Sequence, residues 1–513
     1  DVTSSGQTPE NLAISPDGMF VNAVDVGVVS GGTSSHDSVA IVCTDPKIID
    51  VPFLRSSTSE FTGYGISNPS LNPLTVIAHA MGQDGLPLDG TNNPAILELD
   101  PLAQTSFLAD QLFGLPTSEV EVQGWIQLVC NDWAARSFFL NSNGNGDYMD
   151  GTLANDVTST DFYFTHAREN FGVRGSTVQT ELFLVNPFFS QVKFDLELKN
   201  PSGTVIASLT NQVLENGHTL TGTLKDLFFR ESPAFDLAAA YVEGHVTSGA
   251  GLTGFALIRH LGAAGNVATI HSLPMTRDEN VTTLYCPHLT NGGEAPAFSV
   301  PYNTRFHLVN TSGQSIQATL RFTADGQATP VEHAVEVPAG QMFVADAWNL
   351  FQLPDPATRP AYVTGKVVIT ASAPGLIGDV IFGDGLNAVP QLESCLALVQ
   401  GTYIQAVFSH VAHGPVSGTE LIYYNGLSVD NPGDSAIDVT LTVFRQNGSQ
   451  TGTANIHLEP RQRLLRLLSD PLLVPDSWGQ LGGYVVLGSS SPFLAFELFT
   501  DNSSKMLSAI PKN

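Results

Sequence analysis

The sequence is poor in cationic residues. Lysine and arginine together number 21, against 49 aspartate and glutamate residues, so the formal net charge is −28. A field of this sign repels phosphate backbones and anionic lipid surfaces. We therefore expect no nucleic-acid partner. The acidity is typical of a soluble extracellular protein, or of one that attracts divalent cations or basic surfaces.

Lysine itself is scarce. Only seven of the 513 residues are lysine, although natural β-sheet proteins commonly protect their exposed edge strands with this residue. Unprotected edges are compatible with strand pairing between domains or between molecules. A lysine-poor composition, or protection of the edges by proline and aspartate, explains the scarcity equally well.

Cysteine and long apolar runs are also lacking. The four cysteines are far apart and form no Cys-x-x-Cys or Cys/His pair with metal-ligand spacing, which disfavours a zinc site. They are Cys43, Cys130, Cys286 and Cys395. One or two disulfides in an oxidising compartment, or buried thiols, are both compatible with this number. No apolar run of about 18 residues is present, so we expect no membrane span.

Catalytic signatures are absent from the sequence. There is no Gly-x-Ser-x-Gly or His-Glu-x-x-His motif, and Lys366 in TGKVV lacks the upstream glycines of a phosphate-binding loop. Carboxylates such as Asp379 and Glu393 are plentiful, but no pattern in the sequence places any two of them together. We therefore expect that the protein is not an enzyme.

What the sequence does contain is an internal repeat of about 120 residues. A glycine turn between two strands, an apolar Leu-Phe-like step and an aromatic residue before a β-branched one each recur with this period. The glycines are Gly85, Gly203, Gly326 and Gly448, the apolar steps Phe113, Phe228, Phe351 and Leu473, and the aromatics Trp125, Tyr241, Tyr362 and Tyr484. Near the start of each copy stands Arg55, His166, His288 or His410.

The repeat predicts the fold. Copies run at 50–157, 158–279, 280–401 and 402–513, and each is long enough to bury its own core. About seven short strands per copy, with turn signals every 8–12 residues, are typical of an antiparallel sandwich. We predict an all-β protein, a tandem array of about four antiparallel immunoglobulin-like β-sandwich domains. Short links that are not rich in Gly/Ser predict an elongated rod.

Residues 1–49 lie outside the repeat. We expect a strand-rich N-terminal extension and a possible intermolecular strand in NAVDVGVV. The segment LAISPDGMFVNAVDV is similar to the strand-turn-strand of a β-propeller blade, and a single blade cannot close a propeller. A remnant of a longer precursor, or extra strands on the first domain, are the alternatives.

The motif order Phe-x-His, Thr-x-Leu-x-Leu-x-Asn-Pro, glycine turn and aromatic-Val strand resembles a tandem β-sandwich repeat of secreted bacterial surface proteins. The resemblance covers residues 50–513 and implies immunoglobulin-like sandwiches that are extracellular or on the cell surface. It supplies no catalytic residues. Two copies depart from the motif, with Arg55 in place of the histidine and Cys286 in place of the phenylalanine.

One loop is a candidate calcium site. The segment NSNGNGDYMDG spaces side-chain oxygens around a glycine turn as in the first half of a calcium loop. The four candidate Ca²⁺ ligands are Asn141, Asn143, Asn145 and Asp147. Its twelfth position is Thr152 instead of a bidentate glutamate, so a generic Asn/Gly hairpin loop is the alternative.

The three equally spaced histidines are a second candidate set. His166, His288 and His410 are 122 residues apart, and histidine is the commonest metal ligand. In a rod each would stand alone in its own domain, and one histidine makes no metal site. We therefore expect a structural role, with each ring hydrogen-bonded at a domain edge or interface.

These features favour an extracellular structural protein, a subunit of a filament or cell-surface layer that self-associates into a homopolymer by β-strand pairing. A monomeric adhesin or carbohydrate-binding stalk is the alternative, for which Trp133, Phe138 and Phe139 are the candidate aromatic cluster. A second alternative is the accessory region of a larger secreted enzyme. Candidate acceptors for surface glycans are Asn280, Asn310, Asn447 and Asn502.

Overall fold

The computed structural model describes residues 46–510, except for 117, 144–145, 155–156, 172–177, 233–234, 263–264, 296, 328, 388 and 504–505, and two short strands near the N-terminus. The protein is nearly all β, with 60% of its residues in strands and 5% in helices. Its sheets are antiparallel, which confirms the all-β, antiparallel part of the predicted fold class, and the immunoglobulin-like type stays a prediction. Among the described residues, no helix is long and apolar enough to cross a membrane.

The two N-terminal strands form a minimal hairpin. Strands β1 (Ala13–Ile14) and β2 (Phe20–Val21) pair antiparallel within the segment that reads as strand-turn-strand. The expected intermolecular strand NAVDVGVV lies outside the described residues. Its role stays a prediction.

The first repeat forms an eight-stranded sheet system. Its elements are β3 (Lys47–Ser56), β4 (Glu60–Ser67), β5 (Leu74–Gly82), β6 (Ala95–Leu99), β7 (Gln104–Leu108), α1 (Ala109–Phe113), β8 (Val122–Cys130), β9 (Arg136–Asn143) and β10 (Met149–Leu153). The strand order is β10-β9-β4-β3-β8-β5-β6, and β7 pairs with β4.

The second repeat forms two four-stranded sheets. Its elements are β11 (Asp161–Phe171), β12 (Val178–Val185), β13 (Val192–Lys199), β14 (Val205–Leu214), β15 (Thr219–Thr223), α2 (Leu224–Phe228), β16 (Phe235–Ser248), β17 (Thr253–Leu261) and β18 (Val267–Pro274). The strand orders are β11-β16-β13-β14 and β15-β12-β17-β18.

The third repeat has the same two sheets. Its elements are β19 (Thr283–Asn291), β20 (Asn303–Asn310), β21 (Ile316–Ala324), β22 (Val331–Val337), β23 (Met342–Asp346), α3 (Ala347–Leu350), a 3-10 turn (Pro356–Thr358), β24 (Val363–Ala371), β25 (Leu376–Gly383) and β26 (Glu393–Ala397). The strand orders are β19-β24-β21-β22 and β23-β20-β25-β26.

In the fourth repeat one long strand joins the sheets. Its elements are β27 (Tyr403–Phe408), β28 (Ala412–Pro415), β29 (Ile422–Asp430), β30 (Ile437–Phe444), β31 (Gln450–Leu458), β32 (Arg463–Leu467), a 3-10 turn (Pro475–Ser477), β33 (Gln480–Leu481), β34 (Tyr484–Asp501) and β35 (Leu507–Ile510). Strand β34 pairs with β27, β29, β30 and β35. The division into four domains stays a prediction.

Alternating side chains build the cores. In β13 the apolar residues Val192, Phe194, Leu196 and Leu198 are fully buried, while the residues between them are partly or fully exposed. They pack with Leu182, Leu184 and other side chains of the facing sheet in one hydrophobic cluster. The period-2 pattern seen in the sequence is therefore the pattern of burial.

A buried asparagine closes the loop at one strand end in every repeat. The Nδ2 of Asn186 donates to the carbonyls of Ser190, Leu214 and Glu215, and its Oδ1 accepts from the Phe188 amide. Asn68, Asn310 and Asn431 make the corresponding bonds. These residues tie the strand-end loop to the edge strand, which explains why each alternating strand stops at asparagine.

The four repeats close on themselves, so the expected rod is wrong. The last strands contact one another in a cycle: β10 with β18, β18 with β26, β26 with β35, and β35 with β10. At this centre Asp150 accepts from the amide of Ser272, and the Gly151 amide donates to Ser508 across 357 residues of sequence. Short links restrict the angle between neighbouring repeats. In this structure these angles bring the fourth repeat into contact with the first.

The sequence landmarks that define the period are the contacts between repeats. Trp125 donates its indole Nε1–H to the Gly217 carbonyl, at 2.8 Å, and the Tyr241 hydroxyl donates to the Gly340 carbonyl, at 2.6 Å. Between the last and the first repeat, the Tyr484 hydroxyl donates to the Leu102 carbonyl at 3.0 Å. In three of the four repeats the aromatic residue thus fastens a turn of the next, whereas Tyr362 stacks on Phe298 of its own repeat.

Candidate functional site

The residue near the start of each repeat lies at a junction between repeats. Arg55 forms ion pairs with Glu60 and Glu121 and with Glu181 of the second repeat, and its guanidinium lies 5.3 Å from the Phe183 ring centre. His288 packs 5.0 Å from the ring of Phe496 in the fourth repeat. The position is the same at each junction, but the surroundings differ.

At the fourth junction, between the last and first repeats, the surroundings are again aromatic. The His410 ring lies 5.3 Å from the Phe138 ring and 4.8 Å from the Phe499 ring. Burial lowers the pKa of His410 to about 4, so this ring is neutral near pH 7. His288 and His410 pack mainly against aromatic rings, and His288 Nδ1 also lies 3.5 Å from Arg463 NH1.

His166, at the junction of the second and third repeats, has polar surroundings. Its Nδ1 lies 3.0 Å from Asp379 Oδ1 and its Nε2 lies 3.1 Å from His271 Nε2. Its ring stacks on His307 at 4.8 Å between centres. Strands β11, β18, β20 and β25 therefore bring three histidines and a carboxylate together.

Asp379 is held by three hydrogen-bond partners. His166 Nδ1 and His307 Nδ1 are both 3.0 Å from its Oδ1, and the Thr165 hydroxyl donates to its Oδ2. Burial acts to raise the pKa of Asp379, but the charges and hydrogen bonds of the two histidines outweigh it and hold this pKa well below its usual range. The carboxylate is ionised.

Glu393 forms a second centre beside the first. His260 Nε2 lies 2.8 Å and Arg168 NH2 3.1 Å from Glu393 Oε2. His271 Nδ1 lies 3.1 Å from the same oxygen, off the line of a good hydrogen bond. Burial opposes ionisation of Glu393, yet the charges of Arg168 and His260 keep its pKa well below the usual range.

The whole cluster is closed to solvent. None of its six histidine and carboxylate side chains is more than 3% exposed. Burial lowers the pKa of His271 to about 3, against the opposing effect of Glu393, and it also lowers the pKa of His307, against Asp379. Each carboxylate with its two histidines places three ligand atoms within 4.8 Å of one another, the spacing of metal ligands.

The proposed calcium loop is only partly described. The Asn141 amide donates to Glu60 Oε1 at 2.6 Å, and Asn141 is 2% exposed. Asn143 Oδ1 accepts from the Asp147 amide at 2.8 Å, as in a hairpin turn. Asn145 lies outside the described residues. The oxygen of Asn143 is therefore engaged by backbone, and Ca²⁺ binding stays a prediction.

Of the candidate aromatic cluster, only Trp133 is at the surface. Trp133 is 59% exposed, whereas Phe138 and Phe139 are 3% and 1% exposed. Strand β9 turns both phenylalanines into contacts with other repeats, Phe138 with His410 and Phe139 with Phe255. An exposed three-ring platform for a carbohydrate is therefore not present at these residues.

One candidate glycan acceptor is inaccessible. Asn310 is fully buried and donates to the carbonyls of Gln314 and Val337. The prediction of a glycan at this residue of the folded chain is therefore wrong. Asn280, Asn447 and Asn502 are exposed, and they stay candidates.

Lys366 and the three cysteines that the structure describes are buried. Lys366 forms an ion pair with Asp430 of the fourth repeat, in place of any phosphate contact. Among the described residues, Cys130, Cys286 and Cys395 form no disulfide. Cys43 lies outside the described residues.

Sequence reasoning missed His260, His271 and His307, and it named Asp379 and Glu393 without placing them together. A signal was present in the comparison of copies. TELFLVN in the second repeat reads TRFHLVN in the third, so His307 stands where Phe183 stands. Departures from the repeat, as well as its regularity, carry information about a site.

Comparison of the chain with protein-family models, with curated proteins and with solved structures gave no match.

Proposed function

We propose that the chain is an extracellular structural protein of four immunoglobulin-like sandwiches that pairs with further copies through its outer strand edges. The observation that carries the proposal is strand β14. It is ten residues long, contains no charged residue and pairs only with β13 among the described strands. Its Val205, Ile206 and Val213 are 43%, 38% and 44% exposed.

Other outer strands support this proposal. Strands β6, β22 and β31 likewise have one neighbour each in the described part of the chain, and none of the four contains lysine. An exposed edge without charge protection presents free amide and carbonyl groups to a second chain. Two register irregularities interrupt the pairing of β14 with β13, so pairing with a second chain would involve one of the regular stretches between them.

A non-catalytic role is part of the proposal. The histidine and carboxylate cluster around Asp379 and Glu393 is buried at the junction of two repeats, where a substrate does not reach it in this conformation. Burial with ionised carboxylates is consistent with a stabilising or ion-binding role.

The assembly is tested with Val205→Lys combined with Val213→Lys. Both side chains are exposed, so the fold tolerates the change, while two ammonium groups on the edge oppose pairing. We expect sedimentation and electron microscopy to show linear assemblies of the wild-type chain and monomers of the variant. Leu71→Lys, at a residue that is 78% exposed but lies outside the strands, is the matched control and assembles normally.

A wild-type chain that stays monomeric at high concentration contradicts the proposal and favours the monomeric adhesin. Normal assemblies of the edge variant contradict the role of β14. Fractionation of the native cells tests the extracellular location, which is excluded if the chain remains inside.

A further inference from the structure

We propose that His166, His307 and Asp379 bind one divalent transition-metal ion, which joins the second repeat to the third. The ligand atoms are His166 Nδ1, His307 Nδ1 and Asp379 Oδ1, and each nitrogen is 3.0 Å from the oxygen. Two ligands bound at about 2.1 Å in a cis or tetrahedral arrangement are separated by about 3.0–3.4 Å. The site does not depend on the proposed assembly.

A count of protons shows that the cluster needs one more positive charge. Asp379, His166, His271 and Glu393 form a chain with three short contacts, of 3.0, 3.1 and 3.1 Å. Each contact requires a hydrogen between two atoms that otherwise present lone pairs to each other. Two neutral imidazoles supply only two hydrogens, so one contact remains repulsive.

A metal on Asp379 removes this conflict. With His166 Nδ1 bound to the ion, the single proton of that ring stands on Nε2 and donates to His271 Nε2. The proton of His271 then stands on Nδ1, facing Glu393. Each of the three contacts then has a proton or the ion between its two atoms while both rings remain neutral, although the contact of His271 with Glu393 is off the ideal hydrogen-bond line. A metal-bound imidazole usually donates its second N–H to a carboxylate, carbonyl or water, and here His271 takes that place between His166 and Glu393.

The charge of Arg168 favours binding of the ion at Asp379 over binding at Glu393. Its guanidinium lies 3.1 Å from both Glu393 Oε2 and His260 Nε2. The charge of Glu393 is therefore already balanced, and a second cation beside Arg168 would be repelled. No arginine or lysine is within ion-pair distance of Asp379 among the described residues. Asp379 is the carboxylate left for a metal.

The other junctions show that the fold does not need a carboxylate with converging imidazoles here, although the first of them buries the ion pairs of Arg55. Between the first and second repeats, Phe183 stacks on Phe255 at 4.8 Å beside Arg55. Phe496 contacts His288, and Phe138 contacts His410. Aromatic packing serves these three junctions, so a buried aspartate with converging imidazoles is an addition specific to the second and third repeats.

The donor set indicates the class of metal. Two imidazoles and one carboxylate suit Zn²⁺, Fe²⁺, Co²⁺ or Ni²⁺, whereas Ca²⁺ prefers six to eight oxygen ligands. The ligands come from β11 of one repeat and from β20 and β25 of the next, so the ion fastens the two repeats together.

The experiment measures Zn²⁺ and Co²⁺ binding by the full chain. The wild type, Asp379→Asn and His307→Phe are unfolded in guanidinium with a chelator, freed of chelator and refolded with one metal. We expect one equivalent bound per wild-type chain, visible Co²⁺ d–d absorption, and at least 100-fold weaker binding by each variant. Asn keeps the shape of Asp379, and Phe is the residue found at the equivalent place in the second repeat.

His288→Gln is the matched control, because this ring occupies the equivalent junction and packs against phenylalanine. It retains full metal binding. His271→Gln, which alters the outer partner alone, weakens binding about 10–100-fold. Circular dichroism and the unfolding midpoint establish that each variant is folded.

Protein purified from cells grown with added zinc is also analysed by mass spectrometry, so that a chain that refolds poorly is still tested. Zinc at one equivalent in the wild type and its loss in Asp379→Asn support the site. Wild-type protein without bound metal by both routes, or equal binding by Asp379→Asn, overturns it. In that case the additional positive charge is a proton on one of the imidazoles.

Discussion

At the scale of single residues, the buried acids determine how stability depends on pH. Burial raises the pKa of Asp150 to about 7, although hydrogen bonds from Ser508 and Ser272 act to lower it. Asp150 is 1% exposed and lies at the centre where the four repeats meet. A carboxyl group here is most stable in its protonated form.

We predict that Asp150→Asn removes part of the pH dependence of stability. The folded pKa is above the unfolded value of 3.8, so the protonated group stabilises the fold fully below about pH 4 and this contribution is lost as pH rises to about 7. The upper bound is roughly 4 kcal/mol. Denaturant unfolding of both chains between pH 4 and 8 measures it.

The difference in unfolding free energy between wild type and Asp150→Asn should shift in favour of the variant as pH rises. Asp89→Asn is the control, because this side chain is exposed and no ion pair of the described residues involves it. A difference that does not change with pH would mean that Asp150 is ionised throughout.

At the scale of elements, the glycine turns connect neighbouring repeats. A Cβ built on Gly203 would lie 2.4 Å from the Gly340 carbonyl oxygen, and one on Gly85 2.2 Å from the Asn216 oxygen. Gly326 has the same turn conformation, with φ of +75° against +79° for Gly203, but its Cβ would meet no atom within 4 Å. The glycine is required by the turn in every copy and by the neighbour in some.

We predict that Gly203→Ala destabilises the chain more than Gly326→Ala. Both substitutions incur the cost of a positive φ, about 1–2 kcal/mol. Only Gly203→Ala also forces two backbones apart, which costs about 1–3 kcal/mol more. Thermal or denaturant unfolding of the two variants isolates the second amount, and equal losses would show that the turn at Gly203 is not packed on Gly340.

The same elements show what sequence reasoning can reach. Alternation in VKFDLEL and the stop at Asn186 identify strands because burial and loop hydrogen bonding act locally. The site at Asp379 depends on residues from four strands, of which His166 and Asp379 are 213 positions apart. No local spacing encodes such a meeting. Only the replacement of Phe183 by His307 between copies pointed to it.

At the scale of the whole molecule, closure was not predictable from the links. A link such as 275–283 limits the angle between two neighbouring repeats but does not give its direction, and the three such angles together decide between a rod and a cycle. The decisive contacts join the two ends of the repeat array, as in the hydrogen bond between Ser67 and Ser409.

We predict that small-angle X-ray scattering of the monomer gives a radius of gyration of about 24–28 Å. Four compact units of about 120 residues have individual radii of about 14 Å, and the same units in a line give about 40 Å. The two arrangements are therefore well separated. A value near the larger figure would show that the contacts between the fourth and first repeats do not form in solution.

Closure of the repeat array also changes the number of junctions relative to the number of repeats. A linear array of four units has three junctions and two end units, each with one bare face that requires a polar cap. Here there are as many junctions as units, and every repeat contacts a neighbour on each side. No repeat is terminal, and fraying from an end, the usual first step in unfolding a repeat protein, requires that one junction be broken beforehand.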